Sequence, residues 1–340
     1  NLIINGAMEV AQRGTSFTSD GYGIDRFWWG MFGMDQAQTT LTQSTDAPSG
    51  FKYSQKINVT TVETSIDSGE RAYIRHRIEG QNLHQLATGA SGAKKLTLSF
   101  YAKSASNNSG HQYSVYLSNH DISGSDRIQT RSFTVTSTWQ RFAFTFDGQE
   151  DIIIRNDNDY GLQLFISLAA HSSYEASAIT SWTNSTYKVV SGQSNFLAST
   201  NNDFFITGVQ LEVGSQATAF EHRSFHEERL LCQRYYQEIK GTSDLVMWGS
   251  GRASTSSVAL VNTPLSVPLR ASPTISQTSY TTWGTAGSHS VDNETPTVQY
   301  FHANNTFLPM QFHSTSSLTN ARVATVACRD GSSLVMDAEL

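Results

Sequence analysis

The sequence predicts an all-β protein: an N-terminal β-sandwich or jelly roll, one connecting α-helix and a C-terminal β-sandwich domain. In the first two-thirds of the chain, about nine short segments alternate apolar and polar residues at roughly ten-residue spacing, without intervening helices. Charged residues make up only 15% of the 340 residues, and helix-forming segments are nearly absent outside residues 224–240. These observations favour many short strands joined by turns.

Residues 204–240 join the two predicted domains, as a strand that passes through an elbow into the helix. Along the strand, Gln210 and Glu212 are predicted on the face opposite to four apolar residues, which are Phe205, Val209, Leu211 and Val213. Ser224 and Glu227 have the spacing of a capping box, in which each side chain bonds the backbone N–H group of the other residue.

The predicted helix carries a wide apolar stripe. Its members follow helical spacing and are Leu231, Cys232, Tyr235, Tyr236 and Ile239. A lone helix of this length is marginal in water, and this stripe is broader than one flanking surface requires. We therefore expect these residues to form an oligomer interface. The predicted boundaries are 1–222 for the first domain, 223–241 for the helix and 242–340 for the second domain.

The apolar alternation predicts the individual strands in chain order. In the first domain they are 39–43, 52–60, 72–79, 95–104, 112–117, 130–135, 139–146, 162–168 and 204–213. In the second domain they are 245–248, 257–261, 266–269, 274–278, 297–301, 307–312, 321–327 and 333–338. Residues 170–202 make an unusually long connection, and such loops often carry function. Of the pair Trp28 and Trp29, we expect one ring in the core and the other partly exposed.

Several segments resemble one known family. The run GVQLEVGSQATAFEHR, followed by CQRYYQ, and the opening NLIINGAMEVAQRGTSFT with GIDRFWW are similar to the signature of bacteriophage tail-fibre and related virion proteins. STWQRF and VPLRASPT match further recurring segments of that family, although Ala219 stands where the family commonly has Pro. The resemblance covers nearly the whole chain. It implies a carbohydrate-binding-module-like jelly roll that leads into a helix, a virion location and a homotrimer.

The composition and the motifs disfavour several functions. A net charge of −6 offers no attraction for nucleic acid, and no apolar run approaches the ~20 residues that span a bilayer, so membrane insertion is not expected. Cys232 and Cys328 are expected as buried free thiols of a protein that folds in the reducing host cytoplasm. Because the sequence lacks a nucleophile elbow, an H-E-x-x-H motif, a P-loop and a dinucleotide fingerprint, we expect no catalytic residues.

Aromatic residues in loops are the candidate glycan-binding residues, because flat rings pack against the C–H faces of sugars while nearby polar groups bond the hydroxyls. Tyr174, Trp182 and Tyr187 lie in the long connection, and Tyr280 and Trp283 lie in a glycine-rich stretch of the second domain. Each of these rings, taken individually, is better explained as an anchor that packs its loop against its own domain than as a sugar platform.

One loop concentrates oxygen donors of the kind that Ca²⁺ prefers. Asp157 and Asp159 lie in the stretch RNDNDYG, which is typical of an Asx-rich hairpin turn and is also compatible with a structural Ca²⁺. The stretch lacks the remaining acidic positions of an EF-hand loop, so we expect no cofactor other than this calcium alternative.

Three functions follow from these features. The first is a tail-fibre or spike-like adhesin that attaches the virion to bacterial surface polysaccharide and contacts other virion proteins. The second is a capsid-decorating or head-fibre protein of the same architecture without specific host binding. The third is a polysaccharide depolymerase, which requires two carboxylates about 5–10 Å apart that flank a sugar.

Overall fold

The computed structural model describes the chain except for residues 120–125, 242–245, 278–279, 285–288, 293–295, 300, 302–304, 315–317, 319–322 and 329–331, and it describes only the backbone of 280–284, 289–292 and 328. The described residues form two compact units, Asn1–Glu228 and Arg229–Leu340. They are all-β with one α-helix, α1 (Phe225–Gln233), so the predicted fold class is confirmed. None of the described helical segments is both long and apolar enough to cross a membrane.

The first unit is a sandwich of two six-stranded antiparallel sheets. Its strands are β1 (Ser16–Phe17), β2 (Gly21–Tyr22), β3 (Trp28–Phe32), β4 (Gln38–Ser44), β5 (Ser54–Thr61), β6 (Arg71–Glu79), β7 (Leu96–Ser104), β8 (Gln112–Asn119), β9 (Arg127–Thr134), β10 (Gln140–Phe146), β11 (Tyr160–Ala170), β12 (Glu175–Ala176), β13 (Val189–Val190) and β14 (Asp203–Val213). Sheet A has the order β1-β4-β5-β14-β7-β10, and sheet B has the order β2-β3-β6-β11-β8-β9. The remaining strands, β12 and β13, pair with each other in parallel. Short 3₁₀ turns lie at Gly80–Asn82, His84–Leu86, Ser106–Asn108, Ser172–Tyr174 and Phe196–Ala198.

The inner faces of the two sheets share one hydrophobic core, as the alternation of apolar residues predicts. Its largest fully buried rings come from both sheets and from the loops, and include Trp29, Phe27, Phe100, Tyr113, Phe146, Phe196 and Phe204. Trp29 is fully buried, whereas Trp28 is half-buried on the opposite face of β3, which confirms the prediction for this pair. Burial of this apolar area is the main stabilising term of such a domain.

A β-bulge in β14 changes which side chains of this strand face the core. Phe204 and Ile206 are buried in the core before the bulge, and Val209 and Leu211 are buried in it after the bulge. The placement of Phe205 on the same face as Val209 is therefore wrong, because the extra residue reverses the alternation. Gly208 permits the bulge, since its φ of +62° is left-handed and a Cβ there would lie 2.7 Å from the Phe51 ring.

The N-terminal segment packs along the last strand of the first unit. The buried Asn5 side chain donates to the carbonyl oxygens of Val10 and Asp25 at 2.8 and 2.9 Å. A Cβ on Gly6 would lie 2.1 Å from the carbonyl oxygen of Val209, so only glycine fits at this position. Arg223 donates to the carbonyl oxygen of Ile3 at 3.0 Å. The opening residues and the elbow after β14 thus fold as one local structure.

The second unit contains a seven-stranded and a three-stranded sheet that share a core. Its strands are β15 (Tyr236–Lys240), β16 (Val246–Ala253), β17 (Val258–Pro264), β18 (Thr274–Gln277), β19 (Tyr280–Gly284), β20 (His289–Asp292), β21 (Thr297–Val298), β22 (Phe307–His313), β23 (Val323–Cys328) and β24 (Ser333–Asp337). The sheet orders are β20-β19-β23-β16-β17-β22-β21 and β15-β24-β18. Trp248 and Phe312 of the larger sheet and Met336 of the smaller one are fully buried in the common core.

The predicted helix over 224–240 is too long. The capping box is confirmed, because Ser224 Oγ accepts from the N–H of Glu227 at 3.2 Å while the Glu227 carboxylate accepts from the Ser224 N–H at 2.9 Å. However, α1 ends at Gln233, and Tyr236–Lys240 forms β15, which pairs with β24. A partner strand about a hundred residues further along the chain thus overrides the helical spacing of this segment.

The expected oligomer interface rests on a helical stripe that does not exist. Cys232, Tyr235 and Tyr236 are only 1%, 1% and 6% exposed in the single chain, while Leu231 and Ile239 are half-buried. Ile239 belongs to β15 and packs against the core of the second unit. Cys232, Tyr235 and Tyr236 therefore need no partner chain to be covered, and the homotrimer stays a prediction.

The predicted strand 266–269 is also wrong. This segment bonds a side chain instead of a neighbouring strand: Gln237 accepts from the Ser266 N–H at 2.8 Å and donates to the Val267 carbonyl oxygen at 2.7 Å. Pro268 removes one backbone donor from the same segment. The strands β19 and β20 were not predicted.

Candidate functional site

The outer face of sheet B carries a row of side chains that crosses five strands. The strand register places five residues side by side, and we call them the aromatic row: Tyr22, Trp28, Arg75, Phe165 and Tyr116. The residues that alternate with them along the strands, such as Ile74 and Ile166, point into the core. The row is thus produced by the same two-residue period that builds the core.

Close ring contacts hold the aromatic row together. Phe165 and Tyr116 stack with their centroids 4.5 Å apart and their planes 9° from parallel, and Tyr73 meets Phe165 edge-on at 5.2 Å. Tyr22 meets Trp28 edge-on at 5.1 Å. Such geometries are favourable for rings, and cross-strand pairs of this kind stabilise a sheet. The ring contacts of the row are therefore made within the protein itself.

Three arginines of β6 lie on the same outer face, because they occupy alternate positions. The guanidinium of Arg75 lies 5.1 Å from the ring centroid of Trp28, and that of Arg77 lies 4.3 Å from the ring centroid of Tyr160. Arg71 lies over three rings at once, at 5.2 Å from Phe32, 5.8 Å from Tyr73 and 5.2 Å from Tyr174. These distances are typical of cation–π contacts. Such a contact uses the face of the guanidinium, so the N–H groups at its edge can still donate hydrogen bonds.

Arg71 and Arg75 have no carboxylate partner among the described residues. The Nε–H groups of both side chains are buried and lack a protein acceptor in the described part of the chain. By contrast, Arg77 Nε donates to Gln163 at 2.9 Å. A buried donor without an acceptor costs about 1–3 kcal/mol. The outer face of sheet B therefore presents positive groups whose hydrogen bonds the described protein does not complete.

The long connection after β11 forms a wall beside this face. Its two arms are tied together where the N–H of Lys188 donates to the Tyr174 carbonyl oxygen at 2.8 Å. The wall is attached to sheet B, since Ser114 Oγ accepts from the Val190 N–H at 2.9 Å. Together the wall and the sheet border an open, shallow cavity of about 350 Å³, lined by Arg71, Asp126, Tyr174, Asn184, Ser185, Thr186 and Lys188. Burial lowers the pKa of Lys188, and the Arg71 charge acts in the same direction.

The predicted glycan-binding residues do not lie together. Tyr174 belongs to the wall and contacts Arg71, but Trp182 anchors the loop elsewhere, because its indole N–H donates to the Asp147 carbonyl oxygen at 2.6 Å and its ring packs against the core. Tyr187 is 46% exposed. Tyr280 and Trp283 belong to β19 in the second unit, and their side chains lie outside the described residues.

Sequence reasoning missed the aromatic row and the arginines. It treated Trp28 only as one ring of a pair and treated β6 only as an alternating strand. A signal was present in RAYIRHR, where Arg71, Tyr73, Arg75 and Arg77 occupy every second position opposite the apolar residues. Large basic and aromatic side chains on the outer face of a strand indicate a functional surface, because the solvent-facing side of an antiparallel sheet is ordinarily polar.

A second depression lies beside Trp182. It has a volume of about 410 Å³ and is lined mainly by the acidic stretch Asp147–Asp151, with Lys95 and Trp182. Lys95 is already paired with Asp147 at 2.9 Å. This depression has one flat ring and a surplus of negative charge, so it offers less to a sugar than the face of sheet B.

Three carboxylates gather at another place in the first unit. The oxygens of Asp35, Glu63 and Glu70 lie within 4.8 Å of one another, and Glu63 and Glu70 are only 4% and 6% exposed. Burial raises the pKa of Glu63, and the neighbouring carboxyls of Asp35 and Glu70 add to the effect against two backbone N–H donors. Oxygen donors of this charge and spacing fit a hard divalent cation such as Ca²⁺.

The loop predicted as the calcium alternative is an Asx-rich turn. Asp157 accepts from the N–H of Asp159 at 3.1 Å, and Asp159 accepts from the N–H of Tyr160 at 2.8 Å. Their carbonyl oxygens accept from Gln81 and Gly80, so the loop is fixed by its own backbone. The Asx-rich hairpin turn is thus confirmed, whereas a cation at Asp157 and Asp159 stays a prediction. Within the described residues, the group of three carboxylates that could hold a cation is the one around Glu63.

No protein-family model matches the chain, and no curated protein matches it. Among solved structures, the enzymatically active domain of tailspike protein 4 of bacteriophage CBA120 aligns with a TM-score of 0.34 and 12% identity over 63% of this chain and 21% of that chain. A family 11 carbohydrate-binding module from Clostridium thermocellum, in complex with a β-1,3-1,4-mixed-linked tetrasaccharide, aligns with a TM-score of 0.31 and 14% identity over 60% of this chain and 98% of that chain. A family 16 carbohydrate-binding module aligns with a TM-score of 0.30 and 14% identity over 62% of this chain and 99% of that chain.

The chain thus spans about a fifth of the tailspike chain that it matches. Because these TM-scores lie below 0.5 and these identities below 25%, no property of the three proteins is carried over to this chain.

Proposed function

We propose that this chain is a phage virion protein, a tail-fibre or spike-like adhesin that binds bacterial surface glycans through the outer face of sheet B. The observation that carries the proposal is the aromatic row, in which Tyr22, Trp28 and Arg75 are half-buried, whereas Phe165 and Tyr116 are only 9% and 2% exposed and support the row by packing. The resemblance of the opening segment and of the strand–elbow–helix to phage virion proteins supplies the virion context.

The physics of sugar recognition supports this face. A sugar ring offers an apolar C–H surface that stacks on an aromatic ring, and hydroxyl groups that bond charged and amide side chains. Trp28 is half-buried, so it offers ring area while its position stays fixed by Tyr22 and Arg75. Because the row lies on strands and not on loop tips, its geometry is set before a ligand arrives, which lowers the entropic cost of binding.

The test compares two tryptophans in similar settings on opposite sheets. Trp28 and Trp139 are both half-buried, and each has a cation over its ring, Arg75 at 5.1 Å and Lys103 at 5.5 Å. Trp28→Ala is expected to weaken binding to an array of bacterial capsule and lipopolysaccharide glycans about tenfold or more, since a lost stacking contact of ~1.4 kcal/mol is a factor of ten. Trp139→Ala is the matched control and is expected to bind like wild type. Equal binding by both folded variants would contradict the proposed face.

The proposal includes binding without catalysis, so incubation with the bound glycan is expected to release no oligosaccharides. A depolymerase is the second candidate, and the observation that favours it is the raised pKa of Glu63 beside two further carboxyls. Against it, Glu63 is nearly covered and accepts hydrogen bonds from Gln36 and Ala37. Turnover that Glu63→Gln abolishes would establish the depolymerase instead.

The position on the particle separates a tail fibre from a capsid-decorating or head-fibre protein. Immunogold labelling of virions with antibodies against this chain is expected to mark the tail. Labelling of the capsid would instead favour the head-fibre alternative.

A further inference from the structure

We propose that the glycan is acidic, and that its anionic group docks between Arg71 and Lys188, at the end of the sheet B face beside the wall. This inference rests on the proposed glycan-binding function and adds the chemical class of the ligand. It starts from two basic side chains that line one cavity and from a hydrogen-bond donor that the described protein leaves without an acceptor.

The guanidinium of Arg71 is held by three rings, but its Nε–H group has no acceptor among the described residues. Phe32, Tyr73 and Tyr174 contact its guanidinium at centroid distances of 5.2 to 5.8 Å, and ring contacts of this kind use none of the N–H donors of the guanidinium. Its Nε–H is buried without an acceptor in the described residues. A planar carboxylate matches the fork of N–H groups at the edge of a guanidinium, and such a pair forms two parallel charge-assisted hydrogen bonds.

Lys188 supplies the second positive group of the cavity. Its ammonium donates to the Ser185 carbonyl oxygen at 3.2 Å, which uses one of its three donors. The side chain is half-buried, and both burial and the nearby Arg71 lower the pKa of Lys188, whereas Asp126 raises it. An anion between the two basic groups would relieve their mutual repulsion, so binding is favoured by electrostatics as well as by hydrogen bonds.

The charge balance of the cavity differs from that of the rest of the molecule. The described lining contains two basic side chains, Arg71 and Lys188, and one acidic side chain, Asp126. Several basic groups elsewhere have close carboxylate partners, whereas Arg75, on the same face as Arg71, has none among the described residues. The paired groups are Lys56 with Asp203, Lys95 with Asp147, Lys103 with Asp46, and Lys240 with Glu238. Because the whole chain has a net charge of −6, it has no general attraction for polyanions, and anion recognition has to be local.

The remaining lining fits a sugar better than a bare anion. Asn184, Ser185 and Thr186 bring amide and hydroxyl groups to the same cavity, and Tyr174 also lines it. A volume of about 350 Å³ is in the range of small-molecule sites. The cavity borders Arg71, which contacts Tyr73, and Tyr73 contacts Phe165 of the aromatic row. Tyr73 and Phe165 are each only 9% exposed, so the accessible route along this face runs from Arg71 past Arg75 to the half-buried Trp28. One glycan chain can therefore place an acidic residue in the cavity while its neutral residues reach Trp28.

The first experiment compares acidic glycans with chemically neutralised copies. The whole protein is applied to an array of bacterial capsular polysaccharides, printed in native form and after reduction of their carboxyl groups to alcohols. Native acidic polymers are expected to bind, and reduction is expected to weaken binding at least tenfold. Raising NaCl from 0.05 to 0.5 M is expected to weaken binding to the native polymers, because exposed charge pairs are screened. Sulfated and phosphodiester-linked polymers on the same array distinguish the carboxylate from the other anionic groups.

The second experiment locates the anion by substitution. Arg71→Gln and Lys188→Gln are each expected to lose about tenfold in affinity for the native polymer and to bind the reduced polymer like wild type. Lys52→Gln, which removes one charge from an exposed position beside sheet A, is the matched control and is expected to keep full affinity. Arg71→Lys retains the positive charge but loses the paired N–H groups of the guanidinium edge. Its affinity for the native polymer is expected to lie between those of wild type and Arg71→Gln. Thermal melts establish that each variant is folded.

The outcomes separate this inference from the proposed function. Equal binding of wild type to native and reduced polymers, lost in Trp28→Ala, would overturn the acidic class and leave glycan binding intact. A preference for native polymers that survives both Arg71→Gln and Lys188→Gln would overturn the site. If Arg71→Gln does not fold, Lys188→Gln and the salt dependence of wild type decide. Binding to no polymer of either form would overturn the proposed function and the inference together.

Discussion

The bulge at Gly208 makes a sharp test of how β14 is built. Gly208→Ala places a Cβ at a backbone φ of +62°, which costs an L-residue about 1–2 kcal/mol, and 2.7 Å from the Phe51 ring and 2.9 Å from the Tyr101 ring. Distances below 3.0 Å force these rings to move, and overpacking of this kind adds about 1–3 kcal/mol. We therefore expect the free energy of unfolding of the first unit to fall by about 2–5 kcal/mol.

The Gly92→Ala variant separates the cost of the left-handed backbone from the cost of overpacking. Gly92 has a φ of +84° and no heavy atom within 4 Å of a Cβ, so this substitution carries only the backbone cost. Urea denaturation followed by circular dichroism measures both variants, and calorimetry should show a loss of roughly 2–4 °C in Tm for each kcal/mol. The reasoning fails if the two variants are equally stable, because the contact with Phe51 and Tyr101 would then cost nothing.

Three further predictions concern other buried groups. If Asp35, Glu63 and Glu70 hold a cation, CaCl₂ should raise the Tm at pH 7, and Glu63→Gln should abolish this increase. Without Ca²⁺, the pKa of Glu63 is raised by burial, so the contribution of Glu63 to the free energy of unfolding should fall as the pH rises through its folded-state pKa. His76 is buried, and its burial, together with the nearby Arg26 charge, lowers its pKa well below 6.5. As the pH falls below about 6.5, the unfolded chain therefore binds a proton that the folded chain does not, and the free energy of unfolding should fall by up to ~1.4 kcal/mol per pH unit. The His76→Gln variant should show a smaller slope. Light scattering at micromolar concentration is expected to give the mass of a trimer; because Tyr235 is 1% exposed in the single chain, Tyr235→Asp is expected to unfold the second unit rather than to yield folded monomers, and a folded monomeric variant would show that Tyr235 lies at the subunit interface.

The sequence by itself determined the fold class and most strands of the first unit. Alternation with a period of two is a local property, so the apolar positions of β6, β7 and β11 could be assigned to the core without knowledge of their neighbours. The capping box at Ser224 was readable for the same reason, since its two members are three residues apart.

The tertiary structure alone decided the candidate site. Tyr22, Trp28, Arg75, Phe165 and Tyr116 come from five strands, and they meet only because of strand order and register, which involve residues far apart in the chain. Likewise, nothing local shows that Arg71 lacks a carboxylate partner among the described residues, because an acidic residue from any part of the chain could have supplied one.

Non-local pairing also decided where the sequence-based prediction failed. Tyr236–Lys240 has helical spacing but becomes β15, because β24 offers it a ladder of backbone hydrogen bonds. In β14, the bulge at Gly208 reversed the alternation that placed Phe205 beside Val209. Both effects depend on which strand or ring lies next to the segment, and the segment's own sequence does not contain that information.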